Sequence, residues 1–449
     1  MIQNARIKHL NEKEVVQGDF VLYWMQSSQR EEYNHALEYS IEKANKLKVP
    51  VVVLFVLDDE FPESNLRHFK FMLEGLKETG EDLEERNVKF VVRRGKPQKE
   101  VQKLASEASM VVADRAYLKF LRDWRDEITE SISCSMVQVE SDIVIPVEEA
   151  SKEEEYAART LRPKIDEKLE KYMKPLERRE VKRSSLEFDF DSFNIREIDK
   201  ALKALNLNDD VSPSEEFQGG STKAKEMLEF FVKNKLDDYA ELSNDPTKNF
   251  TSNLSPYIHF GQISPLQIAL RVQNSDRLNK KEFLEQLIVR KELAINFVYY
   301  NENYDSLKST SDWAYESLKE PEGDKREYVY SFEEFEKAGT HDEYWNAAQR
   351  EMLTTGKMHN YMRMYWGKKI LEWSDTLEKA FEIALKLNNK YELDGRDPNG
   401  YTGVAWLFGK HDNAFKEREV FGKVRYMNKE GLDRKFDMEK YVKRYKDEN

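Results

Sequence analysis

Two runs near the C-terminal end decide how this chain reads. They are Trp345–Trp373, WNAAQREMLTTGKMHNYMRMYWGKKILEW, and Leu387–Gly409, LNNKYELDGRDPNGYTGVAWLFG. Trp366 and Trp373 stand on one face of a helix by their spacing, with Trp345 on a neighbouring helical stretch. Tyr361, Arg363 and Met364 lie between the tryptophans. In the second run Asn388 precedes a turn-rich segment that carries Asp394, Gly395, Arg396, Asp397, Pro398, Asn399 and Gly400, and Trp406 follows. Taken alone, tryptophans at helical spacing are usually core residues, and such a segment is a tight surface connection. Their meaning depends on what the rest of the chain carries with them.

Upstream, a second group of residues has its own logic. The segment Thr251–Pro265, TSNLSPYIHFGQISP, supplies hydroxyls at Thr251, Ser252 and Ser255 beside Leu254. Such hydroxyls cap a helix, and the same geometry holds a diphosphate at a helix start. Tyr239 precedes Thr251 by twelve residues. Phe283–Tyr300 is a strongly apolar helical stretch that carries Gln286, Arg290, Glu292, Ile295 and Asn296. From Gly219 onward the periodicity is helical, beginning with an amphipathic helix over Lys223–Leu236.

The first third reads differently. Phe20–Trp24, Val49–Leu57, Val88–Val92, Met110–Ala113 and Met136–Ile145 are short, β-branched apolar runs. Helical stretches such as Arg30–Leu47 and Asn65–Arg86 separate them, which predicts a parallel, Rossmann-like α/β sheet with crossover helices. No glycine-rich phosphate fingerprint follows the first strand, so an ordinary dinucleotide site there is not expected. The chain therefore divides into an α/β domain over 1–146, a charged connector over 147–200 that reads as solvated with helical pieces, and an all-helical domain over 201–449.

Totals narrow the class. The chain has 449 residues, 35% of them charged and 12% aromatic, as expected of a soluble, helix-rich protein of two or three domains. No apolar run approaches a membrane span, and the opening MIQNARIKHLNEKE lacks a signal-peptide core. The single Cys134 excludes an intramolecular disulfide and a thiolate metal cluster, which points to a reducing, cytoplasmic setting. The net charge of −13 is unevenly spread: residues 345–449 carry 21 Lys+Arg against 17 Asp+Glu, and the remainder carries 51 against 68. Only the C-terminal third suits an approach to phosphate.

Together these motifs, with YWMQSSQREEYNHAL and RHFKFMLEGL in the first third, resemble the photolyase/cryptochrome family over about Phe20 to Tyr445. Within it they are most similar to the class II cyclobutane pyrimidine dimer photolyases. The resemblance implies an N-terminal antenna domain, with a deazaflavin-type chromophore as the expected antenna, and a helical FAD-binding catalytic domain. It implies light-driven repair of pyrimidine dimers in DNA by electron transfer from photoexcited reduced FAD, in a monomer that is cytoplasmic, or nucleoid-associated in a prokaryote.

Tyr239, Thr251, Ser252, Leu254, Ser255, Arg290, Asn296, Arg363, Asn388, Asp394, Gly395 and Asn399 match the family's flavin contacts, with Arg363 and Asp394 as a salt bridge against the reactive ring. Trp345, Trp366 and Trp373 match the tryptophan chain that photoreduces the flavin. Gln286, Tyr361, Met364 and Trp406 match the substrate pocket, and Lys410, Arg418, Lys423 and Arg425 are the expected phosphate contacts. Two positions depart from the pattern: Gln286 stands where the family carries Glu, and Ile295 where it carries Asp. An amide donates a hydrogen bond but supplies no proton, so the departure at Gln286 puts repair efficiency in question. It also raises two further readings, a cryptochrome-like photoreceptor and a repair-impaired dimer-binding variant.

Overall fold

The computed structural model describes residues 2–446. Its first third forms six strands: β1 (Ile7–His9), β2 (Phe20–Met25), β3 (Val51–Leu57), β4 (Lys89–Arg94), β5 (Ala108–Asp114) and β6 (Ser135–Val139). They pair in the order β1-β6-β5-β2-β3-β4, all parallel except β1, which runs antiparallel to β6. The alternation of strand side chains explains the two-sided burial. Val21, Tyr23 and Met25 enter one apolar cluster, whereas Phe20, Leu22 and Trp24 enter another on the opposite face.

Three local expectations are corrected. The antiparallel edge strand β1 was not anticipated, being too short and too polar to announce itself. The last strand ends at Val139 rather than Ile145, because Val144 and Ile145 leave the sheet for a core shared with the helical half. The helix expected from Arg30 begins at His35, capped by Asn34, whose side chain accepts from Leu37 N–H at 2.9 Å. Arg30 itself is tied down by Asp142 at 2.8 Å and the Gly261 carbonyl at 2.9 Å.

The charged connector keeps a largely solvent-facing surface and touches the two halves through scattered apolar residues. Its helix Ala158–Tyr172 buries Leu161, Ile165 and Tyr172 against the helical half. The following residues return over the sheet, where Phe188 and Phe190 meet Phe20 edge-on and Phe193 N–H donates to Val92 O at 2.8 Å. Mixed charge set the solvated face; the sparse apolar residues set the docking.

The helical half packs around Trp345, Trp366, Met362 and Phe408 in one cluster, and around Leu228, Leu266, Leu287 and Leu293 in a second that also takes Phe71 from the α/β half. Arg67 reinforces that junction. Fully buried, it donates to the carbonyls of Met352, at 3.0 Å, and Tyr391, at 2.8 Å, and so satisfies the C-terminal ends of helices Glu343–Thr355 and Leu377–Tyr391. Helices Asn360–Trp373 and Pro398–Leu407 approach closely at Gly367, where a Cβ would stand 2.1 Å from Leu407 Cδ1. Among the described residues, no helix is long and apolar enough to cross a membrane.

Candidate active site

A cavity of about 690 Å³ opens between the elements that carry the distant motifs. Tyr239, Thr251, Ser252, Ser255, Gln286, Arg363, Asp394 and Asn399 all line it. Tyr239 is placed by edge-on packing on Phe231 and Phe283, and burial raises its phenol to about 12. The hydroxyl segment is shaped by Asn249 and Asn253, both at positive φ, with Thr251 donating to Asn253 Oδ1 at 2.9 Å. Lys357 brings an ammonium to the same wall, 2.7 Å from Ser255 Oγ. Hydroxyls beside an ammonium form a donor set suited to a diphosphate.

On the helix Asn360–Trp373, capped by the His359 ring, Arg363 faces the cavity. Its closer partner is Glu392 at 2.8 Å, with Asp394 at 3.7 Å, so the expected Arg363–Asp394 bridge is the looser half of a three-member cluster. Burial pushes the Glu392 carboxyl up to about 8. Burial also acts on Asp394, but Lys357 and Arg363 outweigh it and hold that carboxyl well below its ordinary range. Asp394 Oδ1 and Arg363 Nε are buried without a hydrogen-bond partner among the described residues. A donor and an acceptor left open at a cavity wall fit the polar edge of a bound heterocycle, so the residues present suit a flavin dinucleotide.

Gln286 reaches the cavity through an irregularity. Glu285–Arg290 is a π-helical turn, so Gln286 and Lys291 line the cavity, whereas Arg290 points outward and pairs loosely with Glu285 at 3.8 Å. Glu285 is held away from the cavity by Arg162, at 2.7 and 2.9 Å. Arg290 is thus outside the cavity lining, and Lys291, which sequence reasoning missed, is in it.

Other expected contacts serve the frame. Asn296 is fully buried away from the cavity, accepting from Glu155 N–H at 2.7 Å and donating to Glu153 O at 2.9 Å. Leu254 is core. Gly395 is required by close packing, since a Cβ would stand 2.8 Å from Asn389 O. Asn388 lies one layer back, donating to Asn389 Oδ1 at 3.1 Å, with Gly400 allowing close approach.

Of the expected substrate residues, Gln286 lines the cavity, whereas Tyr361, Met364 and Trp406 lie outside its lining. Trp406 is flanked by Lys368 at 5.5 Å and Arg425 at 5.3 Å. Tyr361 accepts from Lys435 at 2.8 Å, and Met364 is half-buried on the same helix. Lys410 is paired with Glu154, and Arg425 with Asp412 at 3.1 Å, whereas Arg418 stacks on Tyr426. The tryptophans form a continuous line: Trp366 and Trp345 stack at 6.4 Å and 9°, and Trp345 meets Trp373 at 6.3 Å.

A second, mostly apolar cavity of about 200 Å³ lies beyond the ends of β2, β3 and β5, where the strand order reverses. Trp24, Phe55 and Trp124 line it, Ile295 closes one side, and Ile258, Lys291 and Asp397 form a wall common to both cavities.

Fold and site together define a protein with a donor-lined cavity for a phosphorylated ring cofactor and, in the core of the same helical half, a line of oxidisable rings. Residues 21–181 match the family model for DNA photolyase. The chain is 49% identical over 445 residues to the deoxyribodipyrimidine photo-lyase of Methanothermobacter thermautotrophicus, covering 99% of this chain and 98% of that one. It is 39% identical to the deoxyribodipyrimidine photo-lyase of Arabidopsis thaliana, covering 94% and 88%. An archaeal photolyase from Sulfolobus tokodaii, solved with two FAD molecules, shares the fold at a TM-score of 0.73 and 18% identity, over 95% of this chain and 90% of that one. The chain belongs to the DNA photolyase family.

Proposed function

We propose that this protein is a light-driven photolyase of the class II branch that repairs cyclobutane pyrimidine dimers in DNA. We assign FAD to the larger cavity and a planar antenna chromophore, of deazaflavin type, to the smaller. The observation that carries the reading is the convergence of eight residues, Tyr239 through Asn399, from five separate stretches on one wall system. FAD, when bound and reduced, supplies under near-UV or blue light the electron that opens the cyclobutane ring.

The chain's own residues do the rest. Thr251, Ser252, Ser255 and Lys357 bind the diphosphate. Arg363, oriented by Glu392 and Asp394, holds a cation beside the ring system, which favours its anionic form. Gln286 offers an amide N–H to the base edge of the dimer but no proton. Trp406 and Met364 give a flipped dimer the stacking it loses on leaving the duplex, which costs on the order of a few kcal/mol and least at damaged sites. Trp366, Trp345 and Trp373 return electrons to the cavity from outside.

One observation favours a second reading. Gln286 faces the cavity where the family carries Glu, which suits a repair-impaired dimer binder or a photoreceptor of cryptochrome type. Repair of an oligonucleotide with one thymine dimer, by reduced protein in light and in darkness, tests both. Light-only repair, faster in Gln286→Glu, supports the photolyase. Dimer binding with repair only in the variant supports the impaired binder. Bound FAD without dimer binding in either protein supports the photoreceptor.

A further inference from the structure

Arg363 stands between two carboxyls whose surroundings differ. Asp394 lines the cavity beside Lys357, and its Oδ1 has no hydrogen-bond partner among the described residues. Glu392 lies behind that wall, 1% exposed and outside the cavity lining. Its carboxyl oxygens accept from the Met358 N–H at 3.1 and 3.3 Å, and Oε1 is 2.8 Å from Arg363 Nη2.

Two carboxylates on one guanidinium repel each other in a site closed to water, and keeping a proton on one of them relieves the repulsion. Position decides which one. Burial opposes the Asp394 charge, but Lys357 and Arg363 outweigh it and hold that carboxyl ionised. At Glu392 burial outweighs Arg363 and Lys357, Asp394 adds to it, and the carboxyl is pushed up to about 8. Groups on other elements leave this balance in place. Arg67 approaches from the helix Leu66–Glu85, but its guanidinium donates to carbonyls of Ser212, Met352 and Tyr391 at 2.8–3.0 Å. His68 meets only the Glu392 backbone oxygen, at 3.0 Å, and burial holds its ring well below the ordinary histidine range. Glu351, itself raised by burial, acts on Arg363 from the helix Glu343–Thr355.

We propose that Glu392 is a positioning residue whose proton sets the charge that the Arg363 wall turns towards the bound ring. The inference rests on the flavin assignment of the larger cavity. With the proton on, Lys357 and Arg363 stand against Asp394 alone, and the wall is net positive. With the proton off, they stand against two carboxylates, and the wall is neutral. A positive wall favours an anionic ring, so reduction of the ring and protonation of Glu392 favour each other by linkage. The balance is as follows. Dithionite, oxidised to sulfite, gives two electrons to the oxidised flavin, and one proton from solvent goes to the ring, leaving it anionic. Where Glu392 is ionised in the oxidised protein, one further proton goes from solvent to its carboxylate. At neutral pH Glu392 holds its proton in both states and keeps the wall positive.

The test is the flavin midpoint potential of the FAD-loaded protein against pH, by dithionite titration of wild type and Glu392→Gln. The amide keeps the side chain's shape and carries no titrating proton. Below about pH 8 the two profiles are expected to run parallel. Above it, the wild type's equilibrium constant for reduction should fall a further tenfold per pH unit relative to the variant's. Reduced-minus-oxidised infrared spectra in the same alkaline range should show a protonated-carboxyl band in wild type that Glu392→Gln lacks. Parallel profiles throughout, or a carboxyl band that survives Glu392→Gln, overturn the proposal while the flavin assignment stands. A wild type whose slope does not steepen overturns it without the variant. Protein that takes up no FAD overturns both, and flavin absorbance decides that before the titration.

Discussion

Lys368 offers a quantitative test of the wall behind Trp406. Its ammonium is fully buried on the helix Asn360–Trp373, donates to the Leu407 carbonyl and lies over the Trp406 ring. Burial lowers its pKa from 10.5 to about 7; nearby Asp412 opposes the shift and Arg425 adds to it. Between those values the unfolded chain holds the proton and the folded protein does not, so the contribution of Lys368 to stability rises with pH. Linkage with these two pKa values gives a rise of about 2 kcal/mol between about pH 7 and pH 9, approaching ~1.4 kcal/mol per pH unit at its steepest. Buried Glu292 and Glu392, each pushed up to about 8, act in the opposite sense: their contribution falls as pH rises through that range. The measured quantity is therefore the difference between wild type and Lys368→Met, which fills similar volume without a titrating group. Denaturant midpoints followed by tryptophan fluorescence across the range give it. Wild type should gain on the variant by about 2 kcal/mol towards high pH. Parallel profiles, or a difference that shrinks with pH, would show that Lys368 keeps its proton when folded and refute the reasoning.

Three further outcomes follow from single contacts. Gly367→Ala gains about 1 kcal/mol of helix propensity but drives a methyl into Leu407 at 2.1 Å, an overlap expected to cost ~1–3 kcal/mol. It should lower the melting temperature, and adding Leu407→Ala should give a coupling energy of opposite sign in a double-mutant cycle. Arg67→Met strips two helix ends of their shared donor and should destabilise by about 3 kcal/mol, with increased proteolysis at the junction of the two halves. Asp394→Asn leaves Arg363 held by Glu392 alone and should weaken FAD binding by about tenfold, or ~1.4 kcal/mol, measured by flavin release on dilution; unchanged affinity would remove Asp394 from the binding wall.

Much of the outline was legible in the amino-acid order alone. Strand runs such as Val51–Leu57 declare themselves because a strand buried on both faces must be apolar at every position. The amphipathic stretch from Lys223 formed its helix over Ser221–Asn234 because periodicity survives any packing arrangement. The hydroxyl segment, Arg363 and Asp394 were found as motifs and meet at one cavity, since each is fixed locally by a turn, a helix start or a cap. Tertiary structure decided what depends on non-local geometry. A π turn has no periodic signature, so the sequence does not reveal that Lys291 rather than Arg290 lines the cavity. Glu392 outcompetes Asp394 for Arg363 because the Met358 N–H, 3.1 Å away, and burial fix its carboxyl at the guanidinium, and neither constraint can be read two residues up the chain. Asn296 turns to the connector because Glu153 and Glu155 are brought beside it only by the docking of that segment.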